Sequence, residues 1–203
     1  LGKKPLLLVI SSPSGTGKTT IAKKLLSRNP DFIKSVSFTT RDKRKGEGGG
    51  KDYSFISKEE FLKKIKKGEL VEWAQVYGFY YGTPIKFIRK ALREKRVLLL
   101  VLDVKGGLAI KRKYPQSVLV FVLPPTFTEL KRRMRKRGAE VKSQQDLRLN
   151  AALKEIRFLS NYDYVVVNSD LNESVNLIQS IILTELHKTS RFNLKNWQKI
   201  TKL

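Results

Sequence analysis

The 203-residue sequence has no cysteine, a single histidine, and 18 acidic residues against 42 basic ones. Without cysteine there is no disulfide framework and no thiol chemistry, which fits a reducing compartment, and a cytoplasmic location is expected. No apolar run approaches the roughly 20 residues that span a bilayer. The N-terminus lacks the charged, apolar and small-residue order of a signal peptide, so no membrane partner is expected. Position 1 is Leu, which is not expected to be the native start. The lone histidine, His187, ends a helical pattern, where a favourable interaction with the helix dipole suffices to account for it.

Scarce acid and abundant base leave a formal charge of +24. Such a surplus attracts anions of every kind without choosing among them. The lysines are spread over nearly every helical pattern instead of forming one stripe with interleaved aromatics, so a solvated basic surface is expected and no specific nucleic acid. A nucleic-acid binder would instead show tight, steeply salt-dependent binding without nucleotide.

What the chain does contain begins with the apolar run Leu6 to Ile10, then Ser11-Ser12-Pro13-Ser14-Gly15-Thr16-Gly17-Lys18-Thr19-Thr20, then a helical pattern. A buried strand that turns through glycines into a helix points backbone N–H groups, and the positive end of the helix dipole, at one small volume suited to phosphate. Lys18 adds a mobile cation and Thr19 a hydroxyl of the kind that ligates Mg²⁺. The strict phosphate-loop pattern has glycine where this chain has Ser12.

Residues 1–32, 84–131 and 149–187 read as a core of Val/Leu-rich strands alternating with helices, hence a parallel sheet covered on both faces. Strands are expected at 97–102, 118–123 and 164–167, and helices near 17–27, 84–94, 107–113, 127–137 and 171–187. Residues 33–83 break the alternation and read as a mixed α/β insertion, with a capping box at Ser57-x-x-Glu60. Residues 132–148 read as a small basic helical lid. The tail 188–203 suits either a docking helix or a frayed end.

Five stretches, 12–20, 35–41, 50–55, 71–83 and 167–171, stand in the order and spacing of guanylate kinases. The resemblance covers the chain from Leu6 to about Leu186. It implies transfer of the γ-phosphoryl of ATP to GMP, with Mg²⁺, by a parallel-sheet phosphate-loop core, a GMP-binding insertion and a helical lid. Ser14, Gly15, Thr16, Gly17, Lys18, Thr19 and Thr20 would then cradle ATP, with Thr19 on the metal and Arg133 and Asn168 on the same side. Arg41, Arg44, Tyr53 and Tyr81 would grip the GMP phosphate, since arginine can take phosphate oxygens in bidentate fashion. Guanine shows two donors side by side, which a carboxylate accepts, and Glu72 is that carboxylate by resemblance, joined by Ser37, Thr83 and Asp103. Lys18, Arg41, Arg137 and Arg148 would stabilise the charge of the moving phosphoryl group.

Two positions depart from the pattern: Val101 stands where the family usually has an acid, and Lys105 where it has Gln. Guanylate-kinase-like domains also serve as non-catalytic binding scaffolds, and those typically lose parts of the phosphate loop and lid. Lys18, Thr19, Arg41, Arg44, Arg137 and Arg148 are all present here.

Overall fold

The computed structural model describes residues 5–13, 15–43, 48–50, 53–76, 78–136 and 142–191, with the side chains of residues 136 and 142–148 outside that description. Its central sheet is wholly parallel. Five strands, β1 (Leu6–Ser11), β2 (Ile33–Lys34), β7 (Val97–Val101), β8 (Val118–Leu123) and β9 (Tyr164–Val167), lie in the order β2-β7-β1-β8-β9. Every residue of β1 is buried, because the strand is central and covered on both sides.

Alternate residues of β1 feed two cores. Leu6, Leu8 and Ile10 pack with Ile21 and Leu25 of α1 (Lys18–Arg28) and with Val175, Ile178 and Ile182 of α7 (Leu171–Leu186). Leu7 and Val9 face the other way, toward Ile88 and Ala91 of α3 (Ile85–Glu94) and Ile110 of α4 (Val104–Lys113). The period of two along the strand thus becomes two helical layers, as the apolar runs predict.

The second sheet is mixed. It comprises β3 (Ser37–Thr39), β4 (Tyr53–Phe55), β5 (Leu70–Val76) and β6 (Phe79–Pro84), in the order β4-β3-β6-β5, with β3 parallel to β4 and antiparallel to β6. Helix α2 (Lys58–Lys66) covers one face. Its capping box is as expected: Ser57 accepts from the Glu60 backbone N–H at 3.1 Å, and the Ser57 N–H donates to the Glu60 carboxylate at 3.2 Å. Phe61 of α2 is fully buried and stacks on Tyr80 at 5.3 Å, and it fits because Gly82 has no side chain.

The structure moves several boundaries. Ile33 and Lys34, read with the insertion, pair with Leu98 and Leu99 of the core sheet. Helix α4 starts three residues before its expected first turn, because Asp103 caps it by accepting from the Gly106 N–H at 2.7 Å. The last strand, β9, is an edge strand with Val165 and Val167 about half exposed, not a fully buried one. Helices α5 (Phe127–Lys136) and α6 (Lys142–Ile156) carry the lid sequence. Of the tail, Thr189–Arg191 form a 3₁₀ turn whose Arg191 guanidinium donates to the Gln116 carbonyl at 2.6 Å, and residues 192–203 lie outside the described residues. No helix among the described residues is long and apolar enough to cross a membrane.

Candidate active site

The phosphate loop leaves β1 at Ser11 and enters α1 at Lys18. Gly15 and Gly17 have φ of +92° and +97°, a region costly to any residue with a Cβ. Space is short as well: a Cβ on Gly15 would sit 3.0 Å from Met134 Cγ, and one on Gly17 would sit 2.6 Å from Asn168 Nδ2. Position 12 carries no such demand. Among the described non-glycine residues only Lys95 has a positive φ, so Ser12 lies in ordinary backbone space. Its hydroxyl is buried and donates to the Pro13 carbonyl at 3.0 Å. Thr16 is buried and does the same at 3.1 Å, tightening the turn. Thr19 and Thr20 are exposed at the start of α1, and Ser14 lies outside the described residues.

The residues expected to read guanine lie on and beside the second sheet. Cross-strand partners share a face of a sheet. The register pairs Ser37 with Tyr53, Glu72 with Thr83, and Tyr81 with both Thr39 and Ala74. Ser37, Tyr53, Tyr81, Thr83 and Glu72 therefore stand on one face, and α2 covers the opposite one through Phe61, Tyr80 and Phe38. Thr83 donates its hydroxyl to Glu72. Burial pushes the Glu72 carboxyl up to about 7; the Thr83 hydroxyl opposes this, Asp103 reinforces it and Lys113 opposes it. Asp103 and α4 approach from the core, where a Cβ on Gly106 would come within 3.0 Å of Glu72 Oε2.

Beside this reader, Arg41 is buried. Its guanidinium lies 5.1 Å from the Tyr53 ring and 5.5 Å from the Phe55 ring, and Nη1 donates to the Asp42 carbonyl at 2.7 Å. Tyr53 and Tyr81 meet edge to face at 5.9 Å. Stacking on aromatic faces holds the planar fork of Arg41 toward one side. Arg44 lies outside the described residues.

The phosphate loop and the second sheet both approach the end of β7. Lys18 Nζ donates to the Leu102 carbonyl at 2.8 Å, and the next residue is Asp103, neighbour of Glu72. On the lid side, Arg133 and Asn168 both reach the Thr16 carbonyl, at 3.4 and 2.7 Å. Arg137 lies outside the described residues. Arg148 is on α6, with its side chain outside the description. His187 ends α7, and its Nδ1 lies 2.7 Å from the Leu183 carbonyl, a helix-end contact away from the loop.

Sequence reading missed a polar cluster beneath the loop. Burial pushes the Glu155 carboxyl up to about 7, opposed by Lys18 and reinforced by Asp103. Tyr162 packs edge-on against Phe121 at 4.9 Å, and burial raises its phenol. A Cβ on Gly107 would lie 2.9 Å from both the Tyr162 hydroxyl and Ser11 Oγ. One signal was available, since Glu155 stands seven residues after Arg148, on the same helix face. Glu129, four before Arg133, was legible in the same way and binds it at 2.7 Å.

Known proteins bear on this geometry. A sequence model of the family described as guanylate kinase matches residues 4–185. The chain is 47% identical to a guanylate kinase of Clostridium tetani over 189 residues, covering 93% of this chain and 90% of that one. It is 41% identical to a guanylate kinase of Thermotoga maritima over 206 residues, covering 97% of this chain and all of the other. Among solved structures, a guanylate kinase from Anaplasma phagocytophilum superposes with a TM-score of 0.84 at 37% identity, covering 98% of this chain and 96% of that one.

Proposed function

This chain belongs to the guanylate kinase family, and on that footing we propose how its residues divide the work of transferring the γ-phosphoryl group of ATP to GMP, giving ADP and GDP. The supporting observation is the junction at Leu102 and Asp103. Lys18 of the donor cradle rests on one residue, and the carboxylate pair of the base reader includes the next. The two substrates are thus brought to adjoining positions, and most of phosphoryl-transfer catalysis is positioning and electrostatics.

On the donor side, Gly15, Thr16 and Gly17 offer backbone N–H groups, with Ser14 and Thr20 completing the cradle, and Lys18 leaves the Leu102 carbonyl to meet the phosphates. Asn168 flanks the adenine end. On the acceptor side, Arg41, Tyr53 and Tyr81, with Arg44, hold the GMP phosphate. Glu72 and Asp103 accept from the guanine N1–H and N2–H₂ donors, and Ser37 and Thr83 complete the base contacts. A site of this kind discriminates by roughly 10⁴-fold, because the wrong base strands its polar groups. Adenine presents an acceptor at N1 where Glu72 also accepts, so AMP is rejected. Arg137 and Arg148 bring positive charge to the transferred group on closure.

Among the described residues no cluster of three His, Cys, Asp or Glu could hold a metal by itself. That suits Mg²⁺, which keeps several waters and is held largely by substrate phosphates. The exposed Thr19 hydroxyl, beside Lys18, fits the part of its single inner protein ligand. When bound, Mg²⁺ neutralises phosphate charge. The same reading keeps the cytoplasmic location expected of a cysteine-free chain.

A coupled assay of ADP formation with GMP, dGMP, AMP, UMP and CMP tests the proposal. Turnover of GMP, and of dGMP at a comparable rate, is the expected result. Equal or faster turnover of a non-guanine monophosphate would overturn it.

A further inference from the structure

Among the described residues, Arg133 carries the polar contacts that fasten helix α5 to the phosphate loop. Arg133 donates from Nε to Glu129 Oε1 at 2.7 Å, from Nη2 to the Asn168 carbonyl at 3.1 Å, and from Nη1 to the Thr16 carbonyl at 3.4 Å. The Thr16 carbonyl also accepts from Asn168 Nδ2 at 2.7 Å, and Asn168 Oδ1 accepts from Ser174 Oγ at 3.1 Å. Met134, next along α5, closes on Gly15. A continuous set of contacts thus runs from the lid-bearing helix through the loop to α7.

We propose that Glu129 and Arg133 are positioning residues, a strut that sets the peptide between Thr16 and Gly17 for the triphosphate, with the charge of Arg133 engaged by loop carbonyls instead of phosphate oxygens. In a planar trans peptide the C=O and N–H point opposite ways. Two donors on the Thr16 carbonyl therefore turn the Gly17 N–H toward the other side of that peptide, the side where a nucleotide would lie. The guanidinium suits the part because its donors sit in a rigid fork, so one bond to Glu129 orients the other two. Lysine has three donors as well, but on one nitrogen, and so cannot span partners that Arg133 reaches from Nε, Nη1 and Nη2. Glu129 also takes two bonds from Arg132, each at 2.6 Å, and stays ionised far below neutral pH because of these arginines. The strut therefore persists across any practical assay range.

The inference rests on ATP being the donor, and wild-type turnover of ATP with GMP tests that part separately. The decisive comparison concerns the sign of one effect. If Arg133 were a phosphate ligand parked on Glu129, then Glu129→Gln would free it and ATP would bind as well or better. A strut predicts the reverse. Titration of a non-hydrolysable ATP analogue should show about five- to tenfold weaker binding to Glu129→Gln, the scale of one ordinary hydrogen bond, since the amide still accepts from Arg133 but without the charge. KM for GMP should stay within about twofold, and Glu129→Asp, which keeps the charge, should lose less than Glu129→Gln. Combining Glu129→Gln with Arg133→Lys should weaken the analogue no further than Arg133→Lys alone, because the two residues act as a unit. Unchanged or tighter binding by Glu129→Gln overturns the strut. So does equal loss for both nucleotides with a lowered melting temperature, which would mark a general folding role.

Discussion

Replacing Glu72 by Gln should make the unliganded protein more stable at alkaline pH while destroying guanine recognition. The carboxyl is buried, and its titration moves from 4.5 to about 7 in the fold. The folded state thus holds the proton more tightly than the unfolded chain, and stability falls as pH rises from about 4.5 to about 7. Above 7 the accumulated cost is roughly 3 kcal/mol, taking about 1.4 kcal/mol per tenfold change. Gln carries no charge to desolvate and can still accept from the Thr83 hydroxyl. Its amide must nevertheless find a partner near Gly106, so a gain of about 1–2 kcal/mol is expected, or several degrees for a chain of this length.

Thermal unfolding of both proteins at pH 5.5 and pH 8 provides the assay. The variant should melt higher at pH 8, and the difference should shrink at pH 5.5, where wild-type Glu72 is already protonated. GMP at about 100 times its Kd should stabilise the wild type by about 2.7 kcal/mol and the variant hardly at all. A variant that melts lower than wild type at both pH values would refute the reasoning. Burial would then not be the source of the shift.

Other consequences follow from the same geometry. KM for GMP should rise as pH falls below about 7, because the reader must be ionised; a pH series of initial rates for wild type and Glu72→Gln measures it. Lys18→Met should reduce kcat by roughly 10²-fold or more while GMP still binds, measurable by single-turnover kinetics beside GMP titration. Gly82→Ala should cost about 1–3 kcal/mol, since its Cβ would lie 2.8 Å from Leu70 Cδ1 and 2.9 Å from Phe61 Cζ. Chemical denaturation would report that loss, with a raised KM for GMP as α2 is pushed off the sheet.

Much of this protein is legible in its sequence because much of it is local. The phosphate loop needs closely spaced glycines, a lysine and a hydroxyl at the mouth of a helix, and residues 15–19, Gly-Thr-Gly-Lys-Thr, supply them. Buried parallel strands need unbroken apolar runs, and β1, β7 and β8 have them. The capping box of α2 is a four-residue pattern. Local signals failed where a neighbour from elsewhere decided the outcome. The sequence pattern started that helix at Gly107, yet Asp103 caps α4 from Val104, and Glu72, Ser11 and Tyr162 pack so close that Gly106 and Gly107 have no room for a side chain. β9 reads as a buried strand, and only its place at the sheet edge leaves two valines half exposed.

The amino-acid order alone thus determined the two-layered parallel core, the phosphate-loop turn and the identity of most residues proposed to bind substrate, because strand burial, turn geometry and helix starts depend on neighbours a few positions apart. Only the tertiary structure decided which face of the second sheet carries those residues, that Glu72 is a buried carboxyl answering to Thr83 and Asp103, and that Ser12 serves where glycine is usual. It alone joined Arg133 to Thr16, 117 residues away. Burial, charge and hydrogen bonding act through space, and positions far apart in the chain share them only after it has folded.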